Sequence, residues 1–418
     1  MRTSLKRVLL GFGLAIFILV AGVFENEAHA IPAWARRYSA DCSMCHTMIP
    51  RLNPMGHKFR RLGYRMPDEF DKQESDLSWD EMAKMTNYFS ARGRARVNFQ
   101  KTAGAKADFD FEMHDVTLFY SGPVSRNVAF FFELPFEPEE GHAFLEVGSI
   151  HLNFGGSDSF FFSRVGQFHQ FSRVGYGGLD RPIGLNNPRV FDVRVNGFRP
   201  RHDGVGAEAG YSYHNFTGLV QVTNGLEAAG GSVLDNEDPN NHKDLAALLE
   251  YMIPESDGSV SLLYVYGRAP NPVNDKGVDV AGAANTKYHR AYLFGDYTFD
   301  SIGLKPLVGV GMGLDNQFVS GIGSATAALV SADNSFSWFS FLELDQRIKD
   351  NLYAVVRFDY DDVTNKAEAG GTSKTWMGTG GIAWSFQKFL RVSAEYQATD
   401  SSVQNMAHQL RAETQLNF

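Results

Sequence analysis

Apolar and polar residues alternate one by one, segment after segment, from about residue 89 onward. A period of two belongs to strands, because successive side chains leave opposite faces of the pleat. Leu352, Ala354, Val356, Phe358 and Tyr360 alternate with Tyr353, Val355, Arg357 and Asp359. Leu390, Val392, Ala394 and Tyr396 alternate with Arg391, Ser393, Glu395 and Gln397. Leu410, Ala412, Thr414, Leu416 and Phe418 alternate with Gln409, Arg411, Glu413, Gln415 and Asn417. In the first such segment Arg92, Arg94 and Arg96 take one face and small residues the other. A soluble sandwich with one wet face would also alternate. Here the apolar face is rich in Phe, Tyr and Trp, as aromatic girdles are, and the other face is densely charged, as a watery lumen would be. Segments of roughly ten residues suit tilted strands that cross a bilayer. The chain has 41 Gly and 34 Phe, its mean hydropathy is slightly negative, and no apolar run after the first thirty or so residues is long enough for a membrane helix. A slightly polar chain rich in Gly and aromatics can still cross a membrane if apolar residues alternate with polar ones.

Sixteen candidate strands follow: about 89–100, 109–121, 126–136, 143–154, 158–168, 203–212, 214–223, 243–253, 258–268, 287–299, 303–314, 335–347, 350–361, 374–386, 388–398 and 406–418. An even number is what a single-chain bacterial barrel requires. Short turns are marked by Ser121-Gly122-Pro123, Gly155-Gly156-Ser157-Asp158, Glu255-Ser256-Asp257-Gly258, Ile348-Lys349-Asp350 and Phe386-Gln387-Lys388. The links between them are mostly longer, the rhythm of periplasmic turns and extracellular loops. Phase breaks near His114-Asp115, where a bulge is expected. The link at about 169–202 is long enough to be functional. Either it enters the lumen or it lies on the surface.

The first thirty or so residues read as an export signal. Arg2, Lys6 and Arg7 precede an apolar stretch from Val8 to Val23, and Ala28-His29-Ala30 is a cleavage sequence. Cleavage near Ala30 is favoured over an uncleaved anchor because the apolar stretch is short. Next comes Cys42-Ser43-Met44-Cys45-His46, the C-x-x-C-H pattern of covalent haem attachment. Two thiols at this spacing reach two vinyl groups, and the adjacent His46 can bind the iron from one face. The chain has only 2 Cys, both here. A zinc ribbon would need a second ligand pair, and a thioredoxin-like site a surrounding βαβ pattern. Neither is present. Export fits haem c, which bacteria attach outside the cytoplasm.

Residues 31–65 are basic, with Arg36, Arg37, Arg51, Lys58, Arg60, Arg61 and Arg65 against Asp41, whereas 68–81 are acidic. Asn53 as N-cap, Pro54 at the first helical position and Gly63 as the stop predict a helix at about 54–62. Ser78 and Glu81 predict another at about 79–88. The expected fold class is therefore all-β, a transmembrane antiparallel barrel of about sixteen strands with a small N-terminal helical c-type haem domain. Its expected divisions are 1–30 signal, 31–88 monohaem segment and connector, and 89–418 barrel.

The stretch Ile31-Pro32-Ala33-Trp34-Ala35-Arg36, the haem motif with Thr47, then Pro50-Arg51-Leu52-Asn53, Gly56, Phe59-Arg60 and Gly63-Tyr64 resembles the N-terminal segment of the fused monohaem cytochrome–porins. That family is associated with Fe(II) oxidation at the outer membrane of iron-oxidising bacteria. The motifs cover about 35 residues; the remainder matches in architecture. The resemblance implies an Fe(II) oxidase or electron-transfer cytochrome of the bacterial outer membrane. One haem c would pass an electron from extracellular Fe(II), or another one-electron donor, to a periplasmic c-type cytochrome.

A passive porin needs no haem and a soluble cytochrome needs no barrel. Joined, they point to electron traffic through an outer-membrane barrel whose partners include lipid. The simplest arrangement seats the haem segment in the barrel mouth, its basic residues attracted to lumen acids. Two other readings stay open: a diffusion porin with a haem plug or sensor, and an outward conduit to external metal. A net charge of -9 argues against nucleic acid. His46 is the proximal iron ligand. Met55, on one apolar helix face with Phe59 and Leu62, is the candidate distal ligand. His57 is a weaker alternative, projecting from that face toward the surface or a propionate, and Met48 and Met66 remain possible.

Overall fold

The computed structural model describes residues 33–72, 87–137, 142–143, 145–169, 183–192, 203–224, 242–254, 256–269, 286–316, 318–320, 328–331, 334–364, 372–386, 389–402 and 404–417. The leader, the acidic stretch from 73 onward with its expected helix start at Ser78, and Phe418 lie outside these residues.

The N-terminal segment contains helix α1 (Ala33–Tyr38), a 3₁₀ turn (Cys42–Met44), strands β1 (His46–Met48) and β2 (Arg51–Leu52), and helices α2 (Pro54–Arg61) and α3 (Pro67–Asp71). The small β1–β2 hairpin was not anticipated. Helix α2 starts where its signals place it: the Asn53 side chain accepts from the Gly56 amide at 2.9 Å. Gly63 ends the turn at φ 69, and a Cβ there would also lie 2.8 Å from the Ala129 side chain.

Sixteen long strands then close into an antiparallel barrel. They are β3 (Phe89–Thr102), β4 (Asp108–Pro123), β5 (Val128–Glu137), β7 (Val147–Gly156), β8 (Ser159–His169), β9 (Asp203–Tyr213), β10 (Phe216–Thr223) and β11 (Asp244–Met252). The rest are β12 (Ser259–Ala269), β13 (Thr286–Asp296), β14 (Leu304–Asp315), β17 (Ser335–Lys349), β18 (Leu352–Thr364), β19 (Thr372–Phe386), β20 (Leu390–Ser401) and β21 (Gln404–Asn417). The short β6 (His142–Ala143) extends the edge of β5, and β15 (Phe318–Ser320) pairs with β16 (Ala328–Ser331) apart from the barrel. Closure is made by β21 on β3, with Asn417 opposite Arg92, so no edge is left open. The expected bulge is present: Arg94 faces Asp115 and Ala95 faces Met113, leaving His114 as the extra residue.

Outward positions are apolar and exposed, among them Phe109, Phe111, Ile150, Val165, Leu249, Leu262, Val356, Phe358 and Trp376. A continuous apolar belt of this extent is a lipid-facing surface. The short turns 124–127, 157–158, 214–215, 253–258 and 350–351 all lie at the barrel end where β3 begins and β21 finishes.

The inner wall is not charged throughout, whereas the sequence suggests a densely charged face. Along β3–β5 and β17–β21 it is charged, with Arg92, Asp115, Glu133, Glu343, Arg357, Asp359 and Glu395 buried. From β8 to β17 it carries an apolar sector that includes Phe160, Phe162, Leu248, Leu263, Tyr292, Phe294 and Phe341. The reason is that two other parts of the chain pack against the inside of the barrel. Leu62 and Phe70 of the N-terminal segment join this core from one end. Val190 and Phe191 of the long link join it too.

The described part of that link, 183–192 with helix α4 (Arg189–Asp192), therefore lies in the lumen. Phe191 stacks 5.1 Å from Phe294 on the apolar side. On the charged side Glu395 accepts from the Leu185 amide at 2.7 Å and from Asn186 Nδ2 at 2.5 Å. The Arg189 amide donates to Asp359 at 2.8 Å. A Cβ on Gly184 would fall 2.0 Å from the Glu395 carboxylate, so a side chain there would push that carboxylate from its place.

Candidate functional site

The haem motif sits in the barrel mouth at the short-turn end. Asn53 organises it. Its amide donates to the Cys45 carbonyl at 3.0 Å, and its Nδ2 donates to the Ser43 and Met44 carbonyls at 3.2 and 3.0 Å. The first turn of α2 presses on the same loop. A Cβ on Gly56 would lie 2.3 Å from the Cys45 carbonyl oxygen and 2.8 Å from Leu52. The sequence marks Asn53 as a helix cap; its clamp on the motif arises only from the fold, which brings 43–45 over the first turn of α2.

Cys42 and Cys45 are both partly exposed thiols outside any disulfide. Burial, and secondarily the neighbouring Cys42, pushes the Cys45 thiol up to about 11. It is therefore protonated at neutral pH as a free thiol. His46 Nδ1 lies 3.0 Å from the Pro50 carbonyl. A carbonyl only accepts, so Nδ1 carries the proton and Nε2 carries the lone pair. That is the tautomer and support that an axial histidine requires. The two thiols and this oriented imidazole are a donor set that fits one haem c, with Cys42 and Cys45 for the thioethers and His46 for the iron. Among the described residues no group of three His, Cys, Asp or Glu side chains could hold a bare metal ion.

The distal candidates are placed differently from expectation. Met55 is half-buried on α2, next to the glycine that touches the motif. Phe59 and Leu62 do not present an open apolar face beside it. Phe59 packs edge-on to Trp34 at 5.7 Å and Tyr38 at 5.8 Å, and Leu62 belongs to the barrel core. The helix is inside the barrel, so its apolar side is covered by protein. His57, expected toward the surface, is only 6% exposed for the same reason. Met48 is buried with Ile183, Tyr353 and Ala383, at the point where the haem segment meets the lumen loop. Met66 caps α3 and is half-buried.

The segment is held by the wall as well as by its own contacts. Arg51 reaches Asp345 at 3.0 Å and also pairs with Glu343. Arg61 pairs with Glu250 and donates to Thr217 at 2.9 Å. Asn153 of β7 donates to the Arg61 carbonyl at 2.5 Å, capping α2 from the barrel side. Lys58 meets Asp158 at 3.0 Å, Asp71 accepts from Ser157, and Thr47 donates to Asp257 at 2.7 Å. Trp34 donates to Ser121 at 3.1 Å and stacks on Tyr64, which stacks on Phe131. Acids on an inward strand register were legible in the sequence. Which of them meets which arginine was not.

No protein-family model and no curated protein matches the chain. Solved structures do. Outer-membrane expressed OmpT of Vibrio cholerae is similar with a TM-score of 0.53 at 11% identity, over 79% of this chain and 97% of that one. The outer membrane channel DcaP of Acinetobacter baumannii gives 0.55 at 10% identity, over 79% and 96%. An anion-selective porin from Comamonas acidovorans gives 0.53 at 11% identity, over 79% and 98%. At such identities the likeness is one of fold: the chain forms a porin-like barrel of the outer-membrane type.

Proposed function

We propose that the chain is an outer-membrane electron-transfer protein whose single haem c, held by Cys42, Cys45 and His46, is a one-electron carrier between an extracellular donor and a periplasmic c-type cytochrome. Fe(II) is the donor by family resemblance. The observation that carries the reading is the oriented His46 in a C-x-x-C-H motif clamped inside a barrel mouth. The wall pairs of Arg51 and Arg61 keep that motif within the barrel, and the signal and lipid belt match an outer-membrane address. Met55 is the distal ligand we favour, from its place beside the motif.

A second reading is a diffusion porin with a haem plug, and the fold likeness to porins favours it directly. The two are separated by one pair of measurements. In stopped flow, Fe(II) should reduce the haem of the purified chain, and His46→Ala should abolish this while the barrel still inserts. On a denaturing gel the wild type should retain haem, and a Cys42→Ala, Cys45→Ala double variant should lose it. Rapid solute flux with no haem reduction by Fe(II) or any other small donor would leave only the porin.

A further inference from the structure

We propose that Arg51 is a positioning residue for the axial histidine, and that Glu343 and Asp345 of β17 hold it in that role; this rests on the haem reading above. Pro50 lacks an amide proton, so its carbonyl is the one hydrogen-bonding group it offers its neighbours, and that carbonyl receives His46 Nδ1 at 3.0 Å. The next residue is Arg51. Its backbone lies in β2, paired with β1, where Met48 faces Arg51 and His46 faces Leu52. Its side chain leaves the hairpin and enters the wall. There Nε meets Asp345 at 3.0 Å and a terminal nitrogen meets Glu343, with Arg51 only 2% exposed. Two carboxylates on one planar fork fix direction as well as distance.

Glu343 is itself fixed. Arg357 donates to it at 2.9 Å and to the Asn186 carbonyl of the lumen loop, also at 2.9 Å. The barrel thus grips the hairpin one peptide bond away from the oxygen that orients His46. Groups behind a ligand set its orientation and basicity. When the grip is released the Pro50 carbonyl shifts, its bond to Nδ1 weakens, and the imidazole becomes a poorer donor to ferric iron. The reduced state gains.

A simple charge effect has a different sign pattern. Removing the cation of Arg51 would favour the ferric state, and removing an anion at Glu343 would favour the ferrous one. Positioning moves both variants the same way. The test is a redox titration and ferric EPR spectrum of full-length wild type, Arg51→Met, Arg51→Lys, Glu343→Gln and Asp345→Asn, each with its covalent haem content. All four variants should retain haem and shift toward the reduced form. The shift should be about tenfold in the reduced-to-oxidised ratio at fixed potential, or ~59 mV for one electron, with altered g values. Arg51→Lys keeps the charge but not the fork, so it should shift as well. Asp345→Asn keeps the side-chain shape and serves where a larger change prevents folding. Opposite shifts in Arg51→Met and Glu343→Gln, a wild-type potential in Arg51→Lys, or unmoved potentials throughout overturn the proposal alone. A wild-type chain without covalent haem overturns the haem reading and this inference with it.

Discussion

Replacing Arg61 by methionine keeps most of the side-chain volume and removes the cation that ties α2 to the barrel wall. The pair is almost completely dry, with side-chain exposures of 5% for Arg61 and 0% for Glu250. An ion pair this deep contributes little net stability when intact, because desolvation offsets attraction. Removing the cation leaves a buried carboxylate without its arginine, at about 3–5 kcal/mol. Thr217, which accepts from the same guanidinium at 2.9 Å, loses its donor as well. Since each 1.4 kcal/mol or so is tenfold, local opening of α2 should become roughly two to three and a half orders of magnitude more frequent. Amide hydrogen exchange in detergent reads this directly at His57 and Leu62, whose amides bond to Asn53 and Lys58 carbonyls. The double variant Arg61→Met, Glu250→Leu removes both charges and should recover most of the protection. Wild-type exchange in the single variant, or equally fast exchange in the double, would refute the claim that this pair seats the segment.

Gly56→Ala should loosen the same helix from the motif, because the new methyl meets backbone at 2.3 Å. A cost of about 1–3 kcal/mol should appear as a lower melting temperature of the haem segment with the barrel transition unchanged. Phe191→Ala removes the apolar anchor of the lumen loop, worth roughly 3–5 kcal/mol; single-channel conductance in planar bilayers should rise, and an unchanged trace would mean that the polar contacts suffice. Cysteines introduced at Ala105 or Ser402, on the end opposite the haem segment, should react with an impermeant label on whole cells, whereas those at Asp158 or Asp300 should react only after the outer membrane is opened. The reverse pattern would invert the barrel.

Strand number, strand positions and even the bulge at His114 were legible because little besides a half-buried strand produces a period of two over roughly ten residues. The contents of the lumen were not. In β12 the run Leu262-Leu263-Tyr264-Val265-Tyr266 is apolar on both faces, which marks a wall covered inside as well as outside. Alternation hides this, since it reports one face against the other and not what either face touches. The same limit applies at the site. Cys42, Cys45 and His46 are adjacent in sequence and could be read as a unit. The support from Pro50, Asn53, Glu343 and Asp345 depends on a turn and on a strand almost three hundred residues further along, a pairing that only closure of the barrel creates.

The N-terminal segment has only a small aromatic cluster of its own, Phe59 against Trp34 and Tyr38, and this sets a limit on how it can exist. Other large buried side chains pack on the barrel: Leu62 and Phe70 join the inner wall, Tyr64 stacks 5.3 Å from Phe131, and Phe70 lies 6.2 Å from Phe160. Its buried arginines Arg51 and Arg61 pair with carboxylates on barrel strands. About forty residues rarely fold without a metal, disulfides or a partner, and here the partner is the wall. Residues 31–88 expressed alone for export should therefore give a chain with little helical circular dichroism, rapidly cut by protease, even where haem is attached at Cys42 and Cys45. The full chain should show the segment protected to the same temperature as the barrel contacts that hold it. A soluble, protease-resistant, helical fragment would show that haem supplies the missing core unaided and that the wall contacts are secondary.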